Sequence, residues 1–514
     1  MRLYDSKTKA KIELNADKNG IINIYLCGAT VYDDAHLGHA RSAVCFDLLH
    51  RTLLALGFCV NFARNYTDLD DKILNKMKEQ NLTLKALTEH YIKAYEADMK
   101  ALNVLEPKFK PRATEYISQM IKLIESLEKK GFTYTLSDGV YFDSSKDSEY
   151  LSLSHRTLGE NQSRLENEVA KKNESDFVLW KFDESFDPTS FGFDENFYPT
   201  SPFGKGRPGW HTECVAMINA LFDTLHIHCG GADLLFPHHE NEAAQHRCAC
   251  GGELARIWLH NGFVKIKGEK MSKSLNNSFF IKDALREFNG EVLRFYLLQT
   301  HYRSDFNYAL SDLEVAKKRL DKLYRLKKRL NLAEFRDFEP NLNENSSKET
   351  QTNSILNSSL NSQNLVPSNK DTQALKENSQ KFKFQSELAQ SILKALSDDL
   401  NVSLALSFFD EFIISSNAKL DESPKNSALK ESIETSLKDC AMIFGVGFIN
   451  TNEYFQFGVS AELKTEIEAK IAQRNAAKKA KNFTLADELR DDLARQKIIL
   501  QDTAQGTIWE KNAE

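Results

Sequence analysis

The sequence predicts an α/β fold built around a parallel sheet, and three stretches near the N-terminus indicate it. Residues 21–28 (IINIYLCG) are apolar and β-branched, which is typical of a buried strand. Residues 40–57 (ARSAVCFDLLHRTLLALG) have apolar side chains at helical spacing, and residues 60–71 (VNFARNYTDLDD) predict a second strand that leads into an acidic loop. A strand, a helix and a strand in this order favour a parallel unit, in which ligands bind at the carboxyl ends of the strands.

The remainder of the chain divides into stretches of different pattern. They are, in order, a helical pattern over 88–130, a turn-rich insertion over 132–203, a second strand and helix block over 208–262, a helical pattern over 290–332, a polar tract over 340–380 and helices over 382–444. The polar tract is rich in Asn, Ser and Gln and lacks aromatic residues, so it predicts a flexible linker. The tail predicts one basic helix over 466–496, then a strand and a turn at QGTIW.

Length and composition limit the class of protein. A chain of 514 residues predicts two to four domains, and 41% hydrophobic with 27% charged residues is typical of a globular protein. The lack of a long apolar run or a signal-peptide core predicts a cytosolic protein without a membrane partner, and eight unevenly spaced cysteines predict reduced thiols. The net charge of -6 argues against nucleic-acid binding over the whole surface. A local site stays possible, because the basic run 317–330 is either a solvated helix face or a contact with phosphates.

The motif His36-Leu-Gly-His39 opens the first predicted helix. The unpaired amides and positive end of a helix favour an anion there, Gly38 admits close approach of its backbone, and the two histidines face one side. Alone, the motif is explained equally well as an ordinary helix start at the surface.

A second motif, Lys270-Met271-Ser272-Lys273-Ser274, lies in a polar loop ahead of another predicted helix. Its two lysines can meet the phosphates of a nucleotide as mobile positive charges, although a basic surface loop would have the same composition. Both motifs together, each just ahead of a helix, favour a nucleotide site.

A candidate metal site combines residues that are distant in sequence. His238 and Glu242 stand at i and i+4 on one helical face, and with Cys27 and Cys214 they form a set of two thiols, an imidazole and a carboxylate that suits tetrahedral zinc. From the residues alone the ligands stay open, because the thiols at 248–250 compete for a metal and the many histidines of this part need not share one site.

Together these stretches resemble a known family. The two motifs resemble the signatures of class I aminoacyl-tRNA synthetases, and YLCGATVYDDAHLGHAR, RPGWHTEC, GGADLLFPHHENE and KMSKSLNN are similar to cysteinyl-tRNA synthetases. The resemblance extends over nearly the whole chain apart from 340–380 and part of 145–175. It implies an enzyme that activates L-cysteine with ATP to cysteinyl-adenylate, releases pyrophosphate, and transfers cysteine to the 3′-terminal adenosine of tRNA(Cys).

The resemblance also implies a role for each matching residue. ATP would be bound by His36, Gly38, His39, Lys270, Met271, Ser272, Lys273 and Ser274. The reacting phosphates would be stabilised by His36, His39, Lys270 and Lys273. One zinc ion per chain, which selects the substrate thiol, would be held by Cys27, Cys214, His238 and Glu242. The cysteine pocket would be lined by Thr67, Trp210, His228 and Asp233.

The family further implies magnesium with ATP, the partners tRNA(Cys), L-cysteine and ATP, and a monomeric cytoplasmic protein. Two positions depart from its pattern. Cys229 stands where glycine is usual, which adds a thiol near the expected pocket, and Phe483 stands where tryptophan is frequent.

The implied fold is α/β, with a Rossmann-like parallel-sheet catalytic domain, an inserted connective domain, a helical bundle and a small C-terminal anticodon-binding domain. The expected ranges are 1–110 and 206–295 for the two catalytic halves, 111–205 for the insertion, 296–338 for a helical junction, 339–381 for the linker, 382–450 for the bundle and 451–514 for the anticodon-binding domain.

Two other functions stay open from the sequence. A ligase that joins cysteine to a small amino sugar would share both motifs and the zinc but lack a tRNA-binding end, so the basic region 466–495 and the QGTIW ending favour the synthetase. A zinc-containing RNA-binding protein without catalysis would have no need for both motifs.

Overall fold

The computed structural model of the chain describes residues 1–157, 170–184, 186, 189, 201–266, 268–270, 279–332, 384, 386–503 and 506–511. The predicted linker over 339–381 and residues 271–274 of the second motif lie outside the described residues.

The secondary structure elements are numbered in chain order. The strands are β1 (Arg2–Asp5), β2 (Ala10–Glu13), β3 (Ile21–Leu26), β4 (Cys59–Arg64), β5 (Thr133–Leu136), β6 (Gly139–Phe142), β7 (Phe177–Phe182), β8 (Gly206–Pro208), β9 (Leu225–Gly231), β10 (Ala255–Asn261), β11 (Val264–Ile266), β12 (Glu269–Lys270), β13 (Phe306–Tyr308), β14 (Ile498–Thr503) and β15 (Gly506–Lys511). The α-helices are α1 (Leu37–Ala55), α2 (Asp71–Gln80), α3 (Leu84–Ala101), α4 (Ile117–Lys129), α5 (Trp210–Leu221), α6 (Glu240–Cys250), α7 (Ile281–Glu287), α8 (Gly290–Leu298), α9 (Leu310–Arg329), α10 (Glu387–Leu396), α11 (Val402–Glu422), α12 (Ser427–Phe444), α13 (Thr451–Phe455), α14 (Ala461–Lys479) and α15 (Phe483–Arg495).

A four-stranded parallel sheet in the order β10-β9-β3-β4 forms the centre of the N-terminal part. β3 and β4 are almost wholly buried, as strands of a parallel sheet covered on both faces should be. α1 connects β3 to β4 and α6 connects β9 to β10. The strand order reverses at β3, which is where open α/β sheets bind ligands. The predicted parallel α/β fold is confirmed.

An antiparallel sheet, β5-β6-β7-β8, lies between the two halves of the parallel sheet in sequence. Its last strand, β8, begins at Gly206, the first residue of the range expected for the second catalytic half. Three residues without β-branched side chains gave no strand signal there. Gly209, which follows β8, lies directly on β7, because a Cβ atom at this position would be 2.1 Å from the carbonyl oxygen of Val178.

The tail contains two helices where the sequence predicted one. α14 ends at Lys479 and α15 begins at Phe483. Between them Lys481 adopts a left-handed backbone conformation (φ 58°), and the side chain of Asn482 accepts a hydrogen bond from the Leu485 amide to cap α15. The antiparallel pair β14-β15 follows, so the predicted turn at QGTIW is a strand from Gly506 onward.

The basic run 317–330 lies on α9, and several of its cations bind other parts of the chain. Lys327 is fully buried and donates hydrogen bonds to the carbonyl oxygens of Gly447 and Ile449. Arg319 pairs with Asp410 of α11, and Arg325 and Lys328 both pair with Glu510 of β15. These contacts attach the C-terminal elements to α9. Lys318 and Lys322 of the same run are exposed, as a solvated helix face would have them, and a phosphate contact stays a prediction.

Buried charged groups also connect the parallel sheet region to α12. Asp47 accepts hydrogen bonds from Arg51 and Arg294 and from the Leu105 amide, and Arg294 donates in turn to the carbonyl oxygen of Phe444. Beside them the Glu291 carboxylate accepts from Tyr324 and from the three successive amides of residues 447–449. Asp47 and its two arginines are removed from water, so the loss of any one of them leaves an unpaired buried charge that destabilises the folded chain.

All eight cysteines are free, as predicted. Among the described residues, no helix combines the length and the apolar character needed to cross a bilayer.

We expect Asp47→Asn to lower the free energy of unfolding by about 3 kcal/mol, because it leaves two buried guanidinium groups without their carboxylate. Urea unfolding followed by circular dichroism measures this. Asp398→Asn, in an exposed pair with Lys11, is the matched control and should cost less than about 1 kcal/mol. Equal losses in the two variants would contradict the expectation.

The effect of Asp47→Asn should depend on pH. Burial raises the pKa of Asp47, but Arg51 and Arg294 outweigh burial and lower that pKa to about 2. Because the folded pKa lies below the unfolded value of about 3.9, the stabilisation is complete above that pH and disappears as the pH falls toward 2. The difference between the variant and the unsubstituted chain should therefore shrink in this interval.

Candidate active site and metal centre

Four side chains from separate elements converge at the carboxyl end of the parallel sheet. Cys27 follows β3, Cys214 lies in the second turn of α5, His238 lies in the single turn that precedes α6, and Glu242 lies at the start of α6. One ligand atom of each lies within 4.8 Å of those of the others. Three of the four side chains are buried, and Cys27 is partly exposed. The structure therefore brings together all four predicted metal ligands.

The distances within this set fit tetrahedral coordination. The sulfurs of Cys27 and Cys214 are 3.7 Å apart, and Cys214 Sγ is 3.7 Å from His238 Nε2. Cys27 Sγ is 3.8 Å from Glu242 Oε1. Two sulfur ligands of a tetrahedral zinc ion, each about 2.3 Å from the metal, would lie about 3.8 Å apart. Donor chemistry and spacing thus both suit zinc.

Electrostatics favour the ionised form of two of these ligands, whereas burial raises the pKa of Cys27 well above its ordinary value. Burial raises the pKa of Cys214, but contacts with Cys27 and His238 bring it down to about 7. Burial also raises the pKa of Glu242, yet His238 and His228 hold it well below its ordinary value. A thiol close to ionisation beside an ionised carboxylate is the form in which these groups bind a metal.

His239 was not among the predicted ligands, but it belongs to a second possible ligand set. Cys27, His228, His239 and Glu242 also have ligand atoms within 4.8 Å of one another. His239 Nε2 is 3.4 Å from Cys27 Sγ, and its Nδ1 is 2.8 Å from Nε2 of His260. The only sequence signal was its place beside His238 in HHENE, and that place does not show which way the ring points.

The residues predicted to line a cysteine pocket differ in exposure. Thr67 is buried and donates a hydrogen bond to Glu213 Oε2 at 3.0 Å. His228 is fully buried and lies 2.6 Å from Glu242 Oε2. Trp210 is not a core residue, because it is 37% exposed and its ring stacks on His238 with 4.2 Å between centroids. Asp233 is exposed and lies two residues beyond β9.

Cys229 does not lie near these residues. Its side chain is buried in an apolar cluster with Ile24, Leu26 and Ile227, whereas Cys27 packs with the cluster on the other face. Successive side chains of a strand point to opposite faces of the sheet, so Cys229 of β9 lies on the face opposite to that of His228. The expected extra thiol near the pocket is therefore wrong.

His36 and His39 lie together at the start of α1, as predicted. Their rings stack with centroids 3.9 Å apart, and His36 caps the helix. The first-turn amides are already bonded, because Leu37 donates to the Phe279 carbonyl and Gly38 to His36 Nδ1. The expectation of unpaired amides here is wrong, so an anion would meet the imidazole rings first.

The described residues on either side of 271–278 pair with β11 and with the residues just before α1. Lys270 lies in β12, where it pairs with Lys265 of β11. On the other side, the residues that follow the motif pair with the start of α1, since Ile281 donates to the Ala35 carbonyl at 3.0 Å. The chain after 271–278 therefore returns directly to the His36 motif.

Comparison with known proteins identifies the family. A model described as tRNA synthetases class I (C) catalytic domain matches residues 13–318. A Campylobacter jejuni protein named cysteine–tRNA ligase is 60% identical over 512 residues, which are 99% of this chain and 99% of that protein. The chain belongs to the cysteine–tRNA ligase family. A Campylobacter lari cysteine–tRNA ligase is 56% identical over 513 residues, 100% of both chains.

A solved structure outside the cysteine–tRNA ligase family shares the fold. Mycobacterium tuberculosis methionyl-tRNA synthetase in complex with methionyl-adenylate is similar with a TM-score of 0.53 and 15% identity, over 82% of this chain and 89% of that one. At this identity the similarity establishes the class I synthetase fold alone.

We expect Cys214→Ser to lose most of its zinc, while the unsubstituted chain retains about one ion after dialysis, because a serine hydroxyl does not ionise near neutral pH. Elemental analysis measures the ratio. Cys248→Ser, a buried thiol of α6 outside both ligand sets, should keep its zinc. Full occupancy in Cys214→Ser would favour the set that contains His239.

Proposed function

We propose that the chain activates L-cysteine with ATP to cysteinyl-adenylate, releasing pyrophosphate, and then transfers cysteine to the 3′-terminal adenosine of tRNA(Cys). The observation that carries this proposal is the match, along 99% of both chains, to a protein named cysteine–tRNA ligase. The site geometry supports it, because a thiol-rich cluster and the His36–His39 pair lie at the same end of one sheet.

Selection of the substrate thiol is the proposed role of Cys27, Cys214, His238 and Glu242. Zinc held by these ligands would supply a bond to the thiolate of cysteine that the hydroxyl of serine forms poorly. Plain packing distinguishes similar side chains by only about 1–3 kcal/mol, so a bond to sulfur adds discrimination that a pocket wall lacks.

The chain's own residues hold these ligands in place. His228 and His238 both contact the Glu242 carboxylate, at 2.6 and 2.7 Å, which fixes its two oxygens. His211 Nδ1 lies 3.0 Å from His238 Nδ1 and fixes that ring. The stacked ring of Trp210 covers His238 at the exposed edge of the site and limits access of water.

For the chemical step we place the reacting phosphates of ATP beside His36 and His39, with Lys270 and Lys273 as further positive charges and magnesium accompanying the nucleotide. No protein nucleophile is needed, because positioning and electrostatic stabilisation supply the acceleration. The return of residues 279–281 to the start of α1 supports this placement, since it joins the two motifs through the backbone.

We place recognition of the anticodon on α14, α15 and the β14-β15 pair. Phe483, at the start of α15, is 61% exposed, and an exposed aromatic ring can stack on a nucleotide base. We further propose a monomer that acts in the cytoplasm. A ligase for an amino sugar receives no support, because the match to tRNA ligases includes these C-terminal elements.

We expect the chain to catalyse cysteine-dependent exchange of pyrophosphate into ATP, and to charge tRNA(Cys) in the same preparation. Isotope exchange and acid-precipitable aminoacyl-tRNA measure the two steps, with serine in place of cysteine as the control for selection. Exchange without charging would contradict the tRNA step, and absence of exchange would contradict the activation step.

We expect Lys270→Ala and Lys273→Ala each to slow exchange by about 10²-fold or more at saturating substrates, because each removes a charge that acts on the transition state. The KM for cysteine should change little. Lys265→Ala, which removes a β11 lysine that pairs with Asp305, is the control and should keep normal exchange. Normal rates in both motif variants would contradict these roles.

A further inference from the structure

Arg64, the last residue of β4, is a buried cation without an acceptor. Its side chain is only 4% exposed, yet its Nε has no hydrogen-bond partner. Among the described residues, no carboxylate forms an ion pair with it and no oxygen accepts a hydrogen bond from its guanidinium. Its Cζ lies 5.1 Å from the centroid of the Tyr95 ring.

The other buried arginines each have an oxygen acceptor for their guanidinium, although Nε of Arg41 and of Arg474 is without a partner, as in Arg64. Arg41 donates to three carbonyl oxygens between residues 297 and 301, Arg51 and Arg294 share Asp47, and Arg474 pairs with Asp502. A guanidinium that has lost its water costs free energy unless an acceptor replaces that water. The buried Nε of Arg64 therefore lacks an acceptor within the described part of the chain.

The alternation of side chains along β4 places Arg64 on the face of the sheet that α1 covers. Phe62, two residues earlier, stacks on His50 of α1, and side chains two apart on a strand share a face. Arg64 therefore faces α1 and α3. The thiol-rich cluster lies on the opposite face, where Cys27 packs with Tyr25 and Ala63.

Tyr95 of α3 connects Arg64 to the start of α1. The ring of His39 meets the edge of the Tyr95 ring at 6.5 Å, and Tyr95 belongs to the same apolar cluster as Leu37. His39 and the Arg64 guanidinium thus both lie against the Tyr95 ring, near the positive end of the α1 dipole, which favours an anion.

We propose that Arg64 is a further nucleotide-binding residue, whose guanidinium contacts a phosphate oxygen of bound ATP at the start of α1. A phosphate is the anion that fits, because the fork of N–H groups in arginine matches two oxygens of one phosphate. The inference rests on the proposed activation of cysteine by ATP, and it assigns to that step a residue that neither signature motif contains.

The proposal predicts opposite effects on the free and the nucleotide-bound chain. Arg64→Met removes a buried charge that lacks a partner, so the melting temperature of the free chain should stay the same or rise. The rise in melting temperature on adding a non-hydrolysable ATP analogue should be largely lost. A purely structural cation would give the reverse, with a lower melting temperature and an unchanged response to the analogue.

Kinetics give the second test. In pyrophosphate exchange, Arg64→Met should raise the KM for ATP by about tenfold or more, with little change in the KM for cysteine or in zinc content. Arg64→Lys, which keeps the charge but not the fork, should lie between. Arg294→Met, which removes a buried arginine of α8 paired with Asp47, should melt at a lower temperature but exchange normally.

Four outcomes overturn the proposal. The first is an unchanged KM for ATP in Arg64→Met, and the second is a loss of zinc in that variant. The third is normal exchange with a raised KM for tRNA, which would assign the cation to a phosphate of the tRNA end. The fourth applies where Arg64→Met does not fold, and it is a folded Arg64→Lys with an unchanged KM for ATP. Absence of exchange in the unsubstituted chain would instead overturn the proposed function.

Discussion

β3 and β9 pair through only three residues on each strand, and the candidate site depends on that register. Tyr25 lies opposite His228, and the Cys27 amide donates to the Cys229 carbonyl at 3.1 Å. A shift of one residue would turn every side chain of β9 to the other face. His228 would then enter an apolar cluster, and the fully buried Glu242 would lose a contact of 2.6 Å. Both faces of the sheet therefore select the same register.

The sheet separates two tasks that the proposed reaction must combine. One face carries the thiols and imidazoles that surround Glu242, and the other carries α1 with His36 and His39 at its start. The two sets meet only at the carboxyl ends of the strands, so a substrate that lies across this edge can have its sulfur on one side and its activated carboxylate on the other. The short loop from Cys27 to His36 fixes the distance between them.

Much of the fold could be predicted because its signals are local. Apolar runs marked β3 and β4, and helical spacing marked α1, without knowledge of the rest of the chain. The break at Lys481 was missed because lysine has no strong preference for it, although Asn482 offered a cap signal. The burial of Lys327 could not be predicted, because its acceptors near Gly447 lie far away in sequence.

The site was predictable where its residues form motifs and unpredictable where they do not. The ligand set with Cys214 and His238 came from the resemblance, and the structure brings its members together. His239 and His260 were not predicted as site residues. Their rings contact each other, but His239 lies in the turn before α6 and His260 near the end of β10, and no spacing rule connects those positions. Arg64 gave no signal at all, since only the lack of an acceptor in three dimensions distinguishes it.

The close approach of Gly209 to β7 affects how preference for a substrate can change. Gly209 occupies a place without room for a Cβ atom, and one residue later α5 begins and leads to Cys214. A side chain at 209, or a bulge in β7, would therefore move Cys214, a proposed zinc ligand, without contacting the other three. A change in the inserted sheet can therefore alter the candidate metal centre from outside it, through the start of α5.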